Sequence, residues 1–338
     1  MKIFKLVVLQ LFWLLFITNC GKPVDPELLS PNRCTGGYQV VKIFQTPGYS
    51  QDLVIQDTFC YITQGEGGLM AVNIKNALNP ETASIINENV RGYSTKIEII
   101  DSIIYIAAGS FGVTVVNVDN PMNPVVTASN LSIKPANNFY ILNNYLFTTT
   151  SETGIKISEI SYPSQPDIRG TINTTGYTQG VTASSDGSKL FATCGEMGLS
   201  IFDISDFQDG FGTYPLIGWC DTEGYAEAIT INDSESIAFL TCGTAGLQII
   251  DYSDMTNIHV VGKYSGGGYA KELIYKNNVI FMTAEERGLQ VIDVKNIKKP
   301  TLIGSVDSEY ALGIDMDENY IYIADETQGL IIISIPTK

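Results

Sequence analysis

Apolar residues along this chain fall in short blocks, and both the blocks and their spacing repeat. The stretch "GTAGLQIIDYSD", Gly243 to Asp254, has near-copies in "GEMGLSIFDISD" from Gly195 and "EERGLQVIDVKN" from Glu285, and looser ones in "GEGGLMAVNIKN" from Gly65 and "GSFGVTVVNVDN" from Gly109. The glycine just before each apolar block falls at Gly68, Gly112, Gly154, Gly198, Gly246, Gly288 and Gly329, a recurrence every 41 to 48 residues. A period of that size marks a solenoid or a propeller.

The contents of each unit choose between the two. Nineteen or twenty-one residues before each marker glycine stands Tyr49, Tyr93, Pro135, Tyr177, Tyr225, Tyr269 or Tyr310, and a first strand follows, as in "AEAITI" or "AKELIY". After a polar turn comes a second strand with an aromatic residue seven positions before the glycine: Tyr61, Tyr105, Phe147, Phe191, Phe239, Phe281 or Tyr322. The block after the glycine is apolar at successive positions, as expected of a third strand buried on both faces. A turn rich in Asp, Asn and Ser then leads, often through a proline (Pro80, Pro124, Pro166, Pro215, Pro300), into a fourth strand such as "TLIGSV". Proline is tolerated at a sheet edge, so the fourth strand is expected to be outermost.

Four short antiparallel strands repeated in this way predict an all-β fold, a seven-bladed β-propeller of four-stranded antiparallel blades. The last unit stops after its third strand, at "GLIIISIPTK", while "YQVVKIFQTPGYS", Tyr38 to Ser50, carries the fourth-strand pattern near the other end of the chain. An N-terminal strand is therefore expected to complete the last blade by pairing with residues 329–335, which removes an exposed edge. The stretches "GLQIIDYSD", "GLSIFDISD" and "GLQVIDVKN" resemble the LVIVD-repeat family of exported bacterial propellers, over about residues 38–338. That resemblance implies a surface or envelope protein and no single shared activity.

The first residues agree with export. Lys2 and Lys5 precede a run from Leu6 to Ile17 that is apolar except for Gln10, the form of a secretory signal and shorter than the roughly 20 residues of a membrane span. Ile17-Thr18-Asn19-Cys20 resembles a lipobox, with Asn19 departing from the usual Gly or Ala. The expected organisation is a lipoprotein signal peptide over 1–19, a lipidated Cys20 with a Pro-rich tether over 20–37, and the propeller over 38–338. Each buried acyl CH₂ contributes about 0.8 kcal/mol, and more than one chain gives lasting attachment. The expected location is the outer membrane or cell surface of a diderm bacterium.

Charge narrows the partners. With 36 acidic against 20 basic residues and a net charge of −16, the chain lacks the basic footprint of a nucleic-acid binder. Membrane contact is left to the lipid, and a monomer is expected. Besides Cys20 there are Cys34, Cys60, Cys194, Cys220 and Cys242, an odd number without any CxxC spacing. Cys60 stands where other repeats carry Ile104, Leu146, Leu190 or Ile280, which predicts a buried thiol.

Candidate chemistry is sparse. The only histidine, His259, falls on an outermost strand, a poor place for a catalytic triad. Asp203, Asp251 and Asp293 recur as Asn73 and Asn117, which points to turn capping. "SGGGYA", Ser265 to Ala270, joins two strands and offers no helix N-terminus to a phosphate.

Two rings of residues remain. Tyr49, Tyr93, Tyr177, Tyr225, Tyr269 and Tyr310 lead into first strands, and Glu66, Glu152, Glu196 and Glu286 stand two residues before marker glycines, with Glu285, Asp325 and Glu326 nearby. Propeller topology puts both rings on one face, a negative rim beside tyrosines that suits a protein or glycan partner. No catalytic, cofactor or metal residue is assigned. A calcium ion on the acidic face is the one inorganic candidate. The leading expectation is a lipid-anchored, non-catalytic binding propeller; its rivals are a metal-dependent, lactonase-like hydrolase using carboxylates at the channel mouth and a scaffold of an envelope assembly.

Overall fold

A computed structural model describes residues 33–90, 92–130, 132–207 and 211–337. The expected signal peptide, Cys20 and most of the expected tether lie outside them. The described residues form seven four-stranded antiparallel sheets, the blades of a β-propeller. Blade 5 is representative, with strands Ile229–Asn232, Ile237–Thr241, Leu247–Asp251 and His259–Tyr264. Its second strand is buried throughout and its third is buried up to Asp251, whereas the fourth is only partly covered, in keeping with its place at the outer edge. First strands of neighbouring blades contact one another around the central axis.

The ring closes as the repeat count requires. Gln39–Phe44 pairs antiparallel with Gly329–Ser334, Phe44 opposite Leu330 and Gln39 opposite Ser334, which completes blade 7. The residues just before it follow the outer strand of blade 6, Thr301–Val306: Cys34 bridges Val306, and the Thr35 N–H donates to the Ser305 carbonyl at 2.8 Å.

Apolar clusters lie between blades. Phe239, Leu247 and Ile249 of blade 5 pack with Ile280, Met282 and Ile292 of blade 6, and Tyr322, Leu330 and Ile332 of blade 7 pack with Cys60, Ile62 and Met70 of blade 1. Each fully buried side chain of this kind contributes about 1.5–3 kcal/mol, so every blade depends on both neighbours. Cys60 is fully buried, and all five described cysteines are unpaired.

The repeat glycines have a steric cause. Gly246 has φ +77°, and a Cβ there would lie 2.3 Å from the Tyr264 carbonyl oxygen; Gly68, at φ +81°, would meet the Ile86 oxygen at 2.0 Å. Only glycine lets the turn into the third strand approach the fourth this closely. At the far end of the third strand, Asp203, Asp251 and Asp293 accept the N–H of Ser205, Ser253 and Lys295 at 2.8–2.9 Å, and Asn73 and Asn117 do the same for Lys75 and Asp119. These side chains cap turns.

A threonine latch joins successive blades near the axis. The hydroxyls of Thr149, Thr193, Thr241 and Thr283 accept the N–H of Asn138, Gly180, Ala228 and Glu272 within their own blades. Each then donates to a carbonyl of the next blade, at Gln179, Glu227, Lys271 and Leu312, over 2.6–2.8 Å. The first strands are thereby held at fixed spacing around a central channel.

Candidate functional site: the channel mouth

Each first strand presents successive side chains at successive depths of the channel. Two residues after the leading tyrosine or proline stand Gln51, Thr95, Asn137, Gln179, Glu227, Lys271 and Leu312; one residue deeper stand Asp52, Lys96, Asn138, Gly180, Ala228, Glu272 and Gly313. All of these except Lys96 and Gly180 line a cavity of about 380 Å³ that all seven blades help to form, with Tyr93, Glu285, Tyr310 and Glu326 at its rim. A second cavity of about 290 Å³ lies deeper, lined by Lys96, Glu98, Tyr140, Thr182, Thr230, Glu272 and Asp315 among others. Asn138, Ala228 and Glu272 line both.

A cross-channel ionic strut lies where the two cavities meet. The Lys96 ammonium of blade 2 is 3.4 Å from Asp52 Oδ2 of blade 1 and 3.2 Å from Glu272 Oε2 of blade 6. Blades 2 and 6 are as far apart as two blades of seven can be, so the bridge spans the channel. It is possible because blade 7 contributes Gly313, where a Cβ would come within 2.3 Å of Asp52 Oδ1. The Ile97 N–H also donates to Asp52 Oδ2, at 3.1 Å, whereas the buried Oδ1 has no donor.

Electrostatics differ between the partners. Burial pushes the Asp52 carboxyl up to about 7; Lys96 counteracts this and Glu272 adds to it. Burial works against the Lys96 charge as well, but Asp52, Glu272 and Glu98 outweigh it and hold the ammonium well above its ordinary range. One cation shared among several carboxylates explains why Lys96 stays charged while Asp52 is the strained member. Deeper in the channel, burial also raises Glu98 and Asp315.

The leading tyrosines sit on the blade before them. The turns at Gly195 and Gly243 pair with Ala226 and Ala270 of the next blade, and the rings of Tyr225 and Tyr269 lie where a Cβ on those glycines would be, within 2.8 Å. This accounts for the first glycine of "GTAGLQIIDYSD". Their hydroxyls reach the neighbouring channel ring: Tyr269 donates to Glu227 Oε1 at 2.7 Å, and Tyr225 accepts from Gln179 Nε2 at 3.0 Å. Tyr93 donates to Glu326 Oε1 at 2.9 Å, and Tyr310 hydrogen-bonds the Glu285 carboxylate. Tyr49, Tyr93 and Tyr177 are exposed, and Tyr225, Tyr269 and Tyr310 are half-buried.

The structure thus brings Tyr93 and Tyr310 to the cavity and sets Tyr225 and Tyr269 beside it. Glu152, Glu196 and Glu286 project from the turn tips on the same face, exposed and outside the cavity lining; the Glu66 side chain falls outside the described residues. Asp325 is buried and accepts the N–H of Tyr310, Thr327 and Gln328, a capping role. His259 is exposed on its outer strand, its Nδ1 2.9 Å from the Asn257 carbonyl. The charged residues that line the channel, Asp52, Lys96, Glu98, Glu227, Lys271, Glu272 and Asp315, were not singled out by the repeat. Their signal was available as the departures from an otherwise apolar or small first strand.

The LVIVD repeat pattern matches residues 47–87, 267–308 and 310–337, so the chain carries LVIVD repeats. Comparison with curated proteins returns no match. Among solved structures, the crystal structure of the computationally designed Ika8 protein aligns with a TM-score of 0.63 over 86% of this chain and 97% of that one, at 10% identity. At that identity the likeness concerns the fold alone. Fold and repeat together suggest a binding or scaffold propeller.

Proposed function

We propose that this chain is a lipid-anchored, non-catalytic propeller of a bacterial envelope that binds a protein or glycan partner across the face where the channel opens. The observation that carries this reading is the collar on that face, where tyrosine hydroxyls fix Glu227, Glu285 and Glu326 around a cavity of about 380 Å³. Tyrosines supply broad contact at low entropic cost, and rim carboxylates speed the approach of a basic partner. Burial pushes up the thiols of Cys60, Cys194 and Cys242, which opposes nucleophilic use. Among the described residues, no three His, Cys, Asp or Glu side chains converge as a metal-binding set, which the lactonase-like alternative would need.

Attachment rests on the lipobox-like sequence ending at Cys20, so Cys20→Ser should release the protein from the membrane fraction. The binding reading is tested with folded variants and partners captured by the unmodified protein from the same cells. Replacing Glu227, Glu285 and Glu326 together with Gln should weaken capture most at low salt, and Tyr177→Ala with Tyr225→Ala should weaken it at any salt. Unchanged capture by both sets would place the interaction elsewhere.

A further inference from the structure

The first described residues show where the preceding chain leaves the propeller. Cys34 bridges Val306 at the end of the outer strand of blade 6, the Thr35 N–H donates to the Ser305 carbonyl at 2.8 Å, and the Asp307 N–H donates to the Arg33 carbonyl at 3.1 Å. This pairing is antiparallel, so from Thr35 back to Arg33 the chain runs from Ser305 towards Asp307. Residues 307–309 lead directly to Tyr310 at the rim of the channel mouth, and the Glu309 carboxylate accepts the Thr327 hydroxyl from the turn tip of blade 7 at 2.8 Å. Arg33 is exposed beside them. Whatever precedes it therefore departs on the tyrosine face, between blades 6 and 7.

The length of that preceding chain makes the exit point matter. Residues 21–32 separate Cys20 from Arg33, and at full extension they span at most about 40 Å. Passing down the blade edge to the opposite face would use roughly 20 Å of this, because the six-residue outer strand rises about 3.3 Å per residue. With Cys20 held at a leaflet, the tyrosine face meets that leaflet without the detour.

The chemistry of the face decides what fits between. Tyr49, Tyr93, Tyr177 and Trp219 are 44–64% exposed, and the Trp219 indole N–H donates to the carbonyl of Met197, at a turn tip on this face, at 2.7 Å. Exposed Glu152, Glu196 and Glu286 project on the same side, on a chain of net charge −16. Anionic lipid repels such a surface. A basic protein surface complements it, with aromatic rings giving contact area and carboxylates steering the approach.

We infer that the tyrosine face is turned towards the membrane that holds Cys20, and that its partner is a protein embedded in that same membrane which presents a basic surface above the leaflet. This assignment rests on the anchored binding reading above and names where the partner resides.

The protein purified from host membranes, carrying a fluorescent amino acid at position 286 or 254, is reconstituted in vesicles with acceptor-labelled lipid headgroups. Energy transfer should be more efficient from 286 than from 254, and duplicating residues 21–32 should shrink the difference. Equal transfer, or greater transfer from 254, would overturn the orientation. A difference that survives the duplication would show the face adhering to lipid by itself, which also defeats the inference. The partner is then taken from a photo-cross-linker at position 286 in intact cells, and membranes of cells lacking this chain are washed at alkaline pH. That partner should stay in the pellet and carry net positive charge in the cross-linked segment. A partner that washes off, an acidic segment, or an adduct with glycan or lipid alone would contradict it. Failure of Cys20 to take up labelled fatty acid removes the anchor and this inference together, whereas equal transfer from an acylated chain removes this inference alone.

Discussion

Lys96→Met keeps most of the side chain's length and removes the charge on which the cross-channel strut depends. The side chains of Asp52 and Glu272 are 4% and 21% exposed, so water cannot replace the lost ammonium at Asp52. Breaking a buried pair by removing one partner costs about 3–5 kcal/mol when the other must stay charged. With an unfolding entropy of about 2.1 cal/mol/K per residue, that corresponds to roughly 4–7 °C in Tm for a chain of this length. The cost should depend on pH. Asp52 is already pushed up to about 7 by burial, against the pull of Lys96, and without that pull it holds its proton to higher pH. Near pH 5.5 the variant has a neutral carboxyl at this point, and less than half of the loss should remain. Thermal unfolding followed by circular dichroism at about pH 8 and pH 5.5 measures both values. The double variant Lys96→Met with Asp52→Asn should recover most of the loss at pH 8, because no buried anion is stranded. Equal losses at the two pH values, or no rescue in the double variant, would refute the assignment of Asp52 as the strained member.

Three further outcomes follow from the same geometry. Deleting residues 39–44 strips the outer strand from Gly329–Ser334 and should lower Tm severely, whereas deleting 21–32 should leave it nearly unchanged; comparison of the two melting curves decides. Phe239→Ala empties a nearly fully buried position that stacks on Tyr275 at 4.9 Å and should cost about 3–5 kcal/mol in denaturant unfolding. The unmodified protein should lose stability as pH rises from about 4 to about 7: Asp52, Glu98 and Asp315 have raised folded-state values against about 3.9–4.3 unfolded, so the native state binds more protons in that window. Asp52→Asn should flatten that slope, as read from Tm against pH.

The architecture was legible because it is written in recurrence. Marker glycines, the aromatic seven residues earlier and the Asp or Asn after the third strand each answer a steric or hydrogen-bonding demand that every blade makes, so they appear in most copies. Ring closure was legible for a related reason, since the last unit lacked a strand whose pattern appears near Tyr38. The site followed the opposite logic. A channel strut needs Lys96 in one blade, Asp52 and Glu272 in others, and no side chain at Gly313, so its members differ at a single repeat position. A search for residues common to all blades passes over them. The tyrosines were visible as a ring, but their packing on the preceding blade's turn is a tertiary contact that no local pattern specifies. Glu152, Glu196 and Glu286 recur because turn tips are exposed, while the carboxylates held at the cavity do not: Glu227 stands where other blades carry Gln, Thr, Asn, Lys or Leu, and Glu285 and Glu326 stand where five blades carry Gly or Ser.

A partner is proposed to meet this propeller on the tyrosine face. A photo-cross-linking amino acid is placed at position 286 in one protein and at position 254 in another, each produced in the native host and irradiated in intact cells. Glu286 projects beside the channel mouth and Asp254 lies in a turn on the opposite face. A discrete cross-linked partner is expected from position 286, diminished when Glu227, Glu285 and Glu326 are replaced with Gln, and none from position 254. The same adduct from position 254 alone, or one from position 286 that is indifferent to the collar, would contradict it.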